Sequence, residues 1–559
     1  MRKSKILITI LTAAALALSV GCQSAEATAS AADSTSVQVV TAQAAAAESA
    51  AVQLSTEAYS DRDLDASYDA SEAIRVDLST VTGDYTITSA GVYVFTGTLS
   101  DGSILVNAGE EDKVQIVLSN ASITNSDWPA IYAVAADKVF VTAEAGTANT
   151  LSDGSSYTTD SFGNNPDGAI FARCDLTING TGSLQVSGNY KFGIVGKDDV
   201  VITNLSLQVG AVSDGIVGKD SVSIGSGTIS IVAGGDGIVS ENGEDTTAGS
   251  VLIDGGTITI QTGGSGADSA KGIKAQAALA INGGDITIDA EDDALHSTTS
   301  VAITNGTLRL SSGDDGIHSD DIVAISGGEI SISKSYEGIE GGTITVSGGT
   351  IDLTSSDDGF NAAGGADSSA SNGPRGNDPF AADTSKSLVI SGGTITVNAD
   401  GDGLDSNGTM SISGGTIYVS GPTASNNGAL DSGSTMTISG GTIIAAGSAG
   451  MAQTFDETST QASISYTFAS VQQAGTTITL KDASGNAIAS YTPEKVYQSV
   501  VISAPSLTIG QSYTLYTGST SVEAITLSGV VTTIGSGNAA GGMNGSFGSG
   551  QRPDGGKRR

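Results

Sequence analysis

The stretch Met410-Ser411-Ile412-Ser413-Gly414-Gly415-Thr416-Ile417-Tyr418-Val419 decides the fold. Met410, Ile412, Ile417 and Val419 alternate with polar residues on either side of a Gly-Gly pair, the pattern of two short half-buried strands joined by a tight turn. Variants of this phrase recur from about residue 120 to residue 450. The apolar residue after the turn threonine, or its substitute, falls at Leu207, Ile229, Ile258, Ile286, Leu308, Ile330, Ile351, Ile395, Ile417 and Ile443. Leu207 to Ile229, Ile286 to Leu308, Leu308 to Ile330 and Ile395 to Ile417 are steps of 22 residues, and Ile330 to Ile351 is 21. A second apolar landmark keeps step at Ile170, Ile194, Ile216, Ile238, Ile273, Leu295, Ile317, Ile339, Phe360, Leu404 and Leu430.

A unit this short cannot bury its inward face alone, but stacked units share one column of aliphatic side chains. The expected fold is all-β, a right-handed parallel β-helix with coils of about 22 residues. Leucine-rich repeats need an asparagine ladder and propellers need longer four-stranded units, and neither pattern is present. Two steps are long: Ile238 to Ile273 is 35 residues and Phe360 to Leu404 is 44. The first carries extra polar stretches at Glu241 to Ser250 and Gly263 to Ala270. The second contains Ala362 to Ser385, with Pro374, Arg375, Pro379 and Phe380 and no strand pattern, and reads as a long loop.

Outward from the repeat, residues 54–150 have strand-like runs without the Gly-Gly signature and are expected to cap the helix of residues 151–450. Residues 451–534 switch to longer alternation, expected as a C-terminal β cap or small β domain, and residues 535–559 form a glycine-rich tail. At the other end Arg2, Lys3 and Lys5 precede an apolar run from Ile6 to Leu18 and then Ser19-Val20-Gly21-Cys22. That is an export leader too short to span a bilayer. Small residues before a cysteine resemble the bacterial lipoprotein cleavage box, which makes residues 1–22 the signal, Cys22 the lipid attachment point and residues 23–53 an Ala/Ser-rich tether. The expected location is extracellular and membrane-anchored, with ordinary secretion as the alternative. Of the 2 cysteines only Cys174 would remain, so neither a disulfide framework nor a thiolate zinc site is available.

The chain has 76 glycines, 8 prolines and 4% aromatics, with 60 acidic residues against 23 basic ones and a formal net charge of -37. That charge excludes nucleic acid as a partner, favours a soluble monomer and makes cations the expected partners. Two residues before the second landmark stand Asp214, Asp236, Asp293, Asp315, Glu337, Asp358 and Asp402, with Lys271 the exception. Coils about 4.8 Å apart stack these carboxylates as a ladder, and like charges 4 Å apart cost about 4 kcal/mol at an effective dielectric of 20. Several rungs are doubled, giving Asp292-Asp293, Asp314-Asp315, Asp357-Asp358 and Asp400 with Asp402 and Asp405. Ca²⁺ takes six to eight oxygens, so these nine acids, together with Glu337, are candidate calcium ligands. A solvated acidic edge relieved by protons or sodium is the alternative.

Directly after the second landmark Val195, Val217 and Val239 give way to Lys274, His296, His318, Glu340, Asn361, Asp405 and Asp431. The change marks where a ligand face begins, with Lys274, His296, His318, Glu340 and Asn361 as candidate carbohydrate contacts. The only 2 histidines are 22 residues apart, hence one above the other, suited to a transition metal, to proton transfer or to a plain polar contact.

Together the export leader, the Gly-Gly-Thr-Ile coils, the Asp-Asp-Gly-Ile turns and the opening Gly91-Val92-Tyr93-Val94-Phe95-Thr96-Gly97 through Trp128-Pro129-Ala130-Ile131 resemble a bacterial carbohydrate-binding β-helix family. It is typified by a clostridial cellulose- and polygalacturonate-binding protein and related in shape to pectate lyases. The likeness spans about Val76 to Leu527. It implies a calcium-loaded helix that binds acidic or cellulose-like polysaccharide at the cell surface without catalysis. One alternative is a calcium-dependent lyase of this shape, whose Asp-Asp-Gly-x-Asp motif Asp402-Gly403-Leu404-Asp405 resembles and for which Lys271 or Lys274 would be the base. The other is a structural adhesin or matrix protein. Tyr336, Phe360 and Tyr418 suit stacking on sugar rings or on the coil itself.

Overall fold

The computed structural model describes residues 42, 58–158, 160–245, 247–264, 269–364 and 383–535. The export leader, Cys22, nearly all of the tether, the tail past residue 535 and most of the 362–385 loop lie outside the described residues. What is described is almost wholly β, and 39 strands join into one continuous hydrogen-bonded assembly.

Each coil contains three short strands separated by turns, for example Ser206–Ala211, Ile216–Gly218 and Ser221–Ile224. Each strand pairs in parallel with its counterpart one coil on, placing Leu207 opposite Ile229, Ile216 opposite Ile238 and Val222 opposite Val251. Three parallel faces therefore wind into a β-helix. The first face follows the glycine turn, the second follows the acidic turn, and the third leads back to the next glycine turn. The aliphatic column from Leu207 to Ile443 is continuous in this register, and its members are 0–1% exposed. Burying each such side chain contributes about 1.5–3 kcal/mol, which rewards every added coil.

The two long steps leave the register intact. Ile238 pairs directly with Ile273, and Phe360 directly with Leu404, so each excursion leaves and rejoins a single coil. The parallel register also reaches further toward the N-terminus than the glycine turns do. Ile74 lies opposite Tyr93, Tyr93 opposite Ile116, Ile116 opposite Val141 and Val141 opposite Ile178 on the third face. Before these coils a short helix, Asp61–Leu64, capped by Ser60, lies against that face. Its Asp63 is buried, pairs with Lys138 at 2.7 Å, and accepts through its carbonyl from Thr203 Oγ1 at 3.0 Å.

At the C-terminal end the pairing changes sense. Tyr497–Ser503 adds antiparallel to Ile443–Gly447 of the last coil and to Ser463–Gln472. A separate four-stranded antiparallel sheet, made from Ile478–Lys481, Ala487–Tyr491, Ser512–Thr517 and Thr520–Thr526, packs over a core of its own around Ile464, Leu480, Tyr497 and Leu515. This covers the open end of the helix, whose unpaired backbone groups would otherwise recruit another chain.

Glycine at the first turn is required by geometry. Gly256, Gly284, Gly306, Gly328, Gly349, Gly393, Gly415 and Gly441 all have φ between +82° and +112°. A Cβ on Gly415 would also sit 2.8 Å from the Gly392 carbonyl oxygen of the preceding coil. Gly415→Ala is therefore expected to lose about 1–3 kcal/mol in urea unfolding. Gly210→Ala, at a strand position with nothing within 4 Å, is expected to leave the midpoint unchanged. Equal midpoints for the two variants would contradict this account of the turn.

Candidate cation-binding face

The second face exposes the logic of the site. Ile194, Ile216, Ile238, Ile273, Leu295, Ile317 and Ile339 point into the core, so the next residue of each strand points outward. The register joins these outward residues into one row. Tyr132, Phe171, Val195, Val217 and Val239 lead without a break to Lys274, His296, His318, Glu340, Asn361 and Asp405. The first five form an apolar cluster with Trp128 and Phe192. The rest are ionisable or polar yet mostly covered, with His296 7%, His318 1% and Asn361 9% exposed.

Beside this row runs the acidic ladder, and its rungs are linked through the backbone. Asp214 Oδ1 accepts the Asp236 N–H at 2.9 Å, and Asp236 Oδ1 accepts the Lys271 N–H at 2.7 Å. Asp293 and Asp315 do the same for Asp315 and Glu337, at 3.1 and 3.2 Å. Asp358 accepts from Asp402 at 2.6 Å, and Asp402 accepts from Gly428. One oxygen of each of these six aspartates thus satisfies the next turn, which gives a backbone reason for aspartate there. Where Lys271 interrupts the ladder, the Asp293 N–H turns to its neighbour Asp292 at 3.0 Å.

The second oxygen of Asp236, Asp293 and Asp315 meets the row, and the two ends of the row treat the ladder differently. At the N-terminal end the protein supplies cations. Lys274 Nζ is 3.6 Å from Asp236, and Lys271 Nζ is 3.1 Å from Asp292 and 2.6 Å from Asp293. His296 Nδ1 is 2.8 Å from Asp293 Oδ2. His318 Nδ1 meets Asp315 Oδ2 and Glu340 Oε2, each at 2.9 Å, and its Nε2 meets Asp320 Oδ1 at 3.2 Å. The two imidazoles stack with centroids 4.9 Å apart and planes 11° apart. Burial pulls the His318 pKa down, but Asp315 and Glu340 outweigh it and hold the ring well above the ordinary histidine range.

At the C-terminal end carboxylates accumulate instead. Asp402, Asp405 and Asp431 bring oxygens within 4.8 Å of one another. Among the described residues no lysine, arginine or histidine pairs with them or with Asp358. Asn361 turns Nδ2 to Glu337 at 2.7 Å and leaves its buried Oδ1 without a donor. Burial, then repulsion from neighbours, raises Glu337 to about 9 and Asp358 to about 8. Burial is also the leading cause at Asp402, raised to about 7, and at Asp405, raised to about 8. Asp400 stands apart, 70% exposed and 3.1 Å from Lys495. Asp314 belongs with Asp292 and Asp293 in a second group of convergent oxygens.

Some of these residues were not visible as site members in the sequence. Asp320 closes the far side of His318 without recurring at coil spacing, and Gln453 donates to Asp431 from beyond the last glycine turn. A second acidic corner, Asp175, Asp198 and Asp199, lies on the turn into the third face. Burial raises Asp175 to about 6 and Asp198 to about 7. Its signal was the coil spacing of Asp175 and Asp199, which pair in the same register as Leu176 and Val200. Of the aromatics, Phe360 is wholly buried, Tyr418 stacks on Tyr491 at 4.9 Å, and Tyr336 is 47% exposed with its hydroxyl engaged by Asp357.

Residues 82–269 and 264–316 match the profile of a family described as carbohydrate-binding domain-containing protein, and over those residues the chain shares homology with it. A curated protein of that description from Acetivibrio thermocellus is 39% identical over 126 residues, 22% of this chain. The chain spans 44% of that relative's length. A solved structure described as a polysaccharide lyase-like protein from C. thermocellum, gadolinium derivative, is 32% identical. It covers 45% of this chain and 96% of its own length, with a TM-score of 0.38. The family match ends before His318 and the carboxylates from Glu337 onward.

Raised carboxyl pKa values carry a stability signature. Asp358, Asp402 and Asp405 bind protons more tightly in the folded chain than at an ordinary carboxylate pKa of about 3.9, so their contribution to stability falls as pH rises from about 4 to about 8. In the presence of chelator the melting temperature is expected to drop across that window, less so in Asp405→Asn. A flat profile for the parent chain would contradict the repulsion described here.

Proposed function

We propose that this face is a calcium-dependent binding surface for polysaccharide at the cell surface, and that it performs no chemistry. The observation that carries the reading is the group Asp358, Asp402, Asp405 and Asp431, partly buried oxygens that face one another without a basic partner among the described residues. Oxygen-only donors in glycine-bearing turns suit Ca²⁺, with Asn361 Oδ1 one rung away as a further donor. The acids at Asp292, Asp293, Asp314 and Asp315 are the lesser candidates, because the Lys271 ammonium and the two imidazole rings already engage the oxygens there.

A chain of net charge -37 binds an anionic glycan only through such a bridge, with calcium joining protein carboxylate to uronate carboxylate. The carbohydrate-binding description of the matching family supports a glycan as the ligand. The row Lys274, His296, His318, Glu340 and Asn361 lies alongside, where a chain running along the helix axis would pass. The lyase alternative loses one of its two candidate bases, Lys271. Burial lowers the Lys271 pKa, but Asp293 and Asp292 more than reverse this and keep the ammonium charged, whereas a general base must shed its proton.

Calorimetry with Ca²⁺, followed by retention on polygalacturonate and cellulose with and without EDTA, tests the reading. Saturable Ca²⁺ binding weakened at least tenfold in Asp402→Asn and Asp405→Asn is expected, with glycan retention lost in EDTA. A Cys22→Ala chain recovered from the culture medium rather than the membrane fraction is expected to bind glycan equally well. Calcium binding without retention on any glycan would sink the polysaccharide reading, and unsaturated products from polygalacturonate would overturn the non-catalytic one.

A further inference from the structure

His318 presents a mismatch of protons and acceptors. Its Nε2 meets Asp320 Oδ1 at 3.2 Å, the contact of a ring N–H donating to a carboxylate. In the neutral ring that leaves a lone pair on Nδ1. Yet Nδ1 faces two carboxylate oxygens at once, Asp315 Oδ2 and Glu340 Oε2, each at 2.9 Å. A lone pair and two carboxylates repel one another, and a single proton on Nδ1 serves only one of the two oxygens well.

The arrangement is that of a metal corner. Neighbouring ligands of a six-coordinate ion, each about 2.1 Å from it, lie about 3.0 Å apart. Asp320 takes the place of the carboxylate that orients a metal-bound histidine through its distal N–H. His296 and Asp293 stack directly behind, and Asp293, His296 and His318 bring donor atoms within 4.8 Å of one another. Glu340 and Asp320, with side chains 19% and 24% exposed, form the wall nearest solvent and leave an entry.

We propose that His318, Asp315 and Glu340 form a binding site for a divalent first-row transition ion such as Zn²⁺ or Mn²⁺, with Asp320 as its positioning residue. A nitrogen donor with two carboxylates selects these ions over Ca²⁺, which takes oxygen ligands. The site stands two rungs from Asp405 along the row and does not depend on the calcium reading.

The test uses the full chain, stripped with chelator and then held in excess Ca²⁺ so that oxygen-only sites are filled. Calorimetric titration with Zn²⁺ is expected to show one site per chain, and Co²⁺ to give visible absorption bands of a nitrogen-ligated ion. Glu340→Gln is expected to abolish the site, and Asp320→Asn to weaken it about 10–100-fold. If His318→Gln fails to fold, Glu340→Gln carries the test, because its side chain is near the surface and keeps its volume. No saturable Zn²⁺ binding in the parent chain, or binding undiminished in Glu340→Gln, overturns the proposal and leaves His318 as a buried imidazolium held by three carboxylates.

Discussion

Parallel strands about 4.8 Å apart force each residue of a coil to lie on its equivalent in the next, and everything else in this molecule follows from that stacking. Where the equivalents are isoleucines, as from Ile258 to Ile286, the constraint is favourable and builds an aliphatic column. Where they are carboxylates, the same constraint concentrates charge that water can no longer screen. The coil gains its core and its electrostatic problem from one geometric rule.

The protein meets that problem in three ways along a single face. One oxygen of most rungs accepts a backbone N–H from the next turn, which turns part of the charge into structure. At the N-terminal end Lys271 and Lys274 bring positive charge into the rows themselves, and the stacked histidines set ring nitrogens against the carboxylates. At the C-terminal end neither device suffices, and Asp358, Asp402 and Asp405 hold protons far above the usual carboxylate range because they are buried against one another. That gradient, from a built-in cation to a missing one, is why we propose the C-terminal end as the place for an added ion.

Much of the fold was legible in the residues, because stacking writes itself into spacing. The columns from Leu207 to Ile443 and from Ile170 to Leu404 and the outward row from Val195 to Asp405 follow from counting, whereas the single-coil nature of the 44-residue step follows from the lack of strand alternation in the sequence from Ala362 to Ser385. The site was legible only as rows. Spacing alone places free carboxylates in register, whereas the bonds from the aspartates to the next turn depend on backbone direction. Lys271 was visible as the odd rung, but its grip on both Asp292 and Asp293 was hidden behind the 35-residue step. Asp320 has no equivalent at coil spacing, so only the structure brings it to His318. Likewise, alternation announced strands after residue 450 but not that Tyr497–Ser503 would pair antiparallel to the last coil.

The most direct test of the proposal that the ladder takes up an outside cation is anomalous diffraction from crystals of the chain grown in Ca²⁺. The account predicts an anomalous peak among the carboxylates of Asp402, Asp405 and Asp431, with oxygens drawn to about 2.3–2.6 Å from it. Carboxylates hydrogen-bonded directly to one another there, with no peak between them, would contradict it.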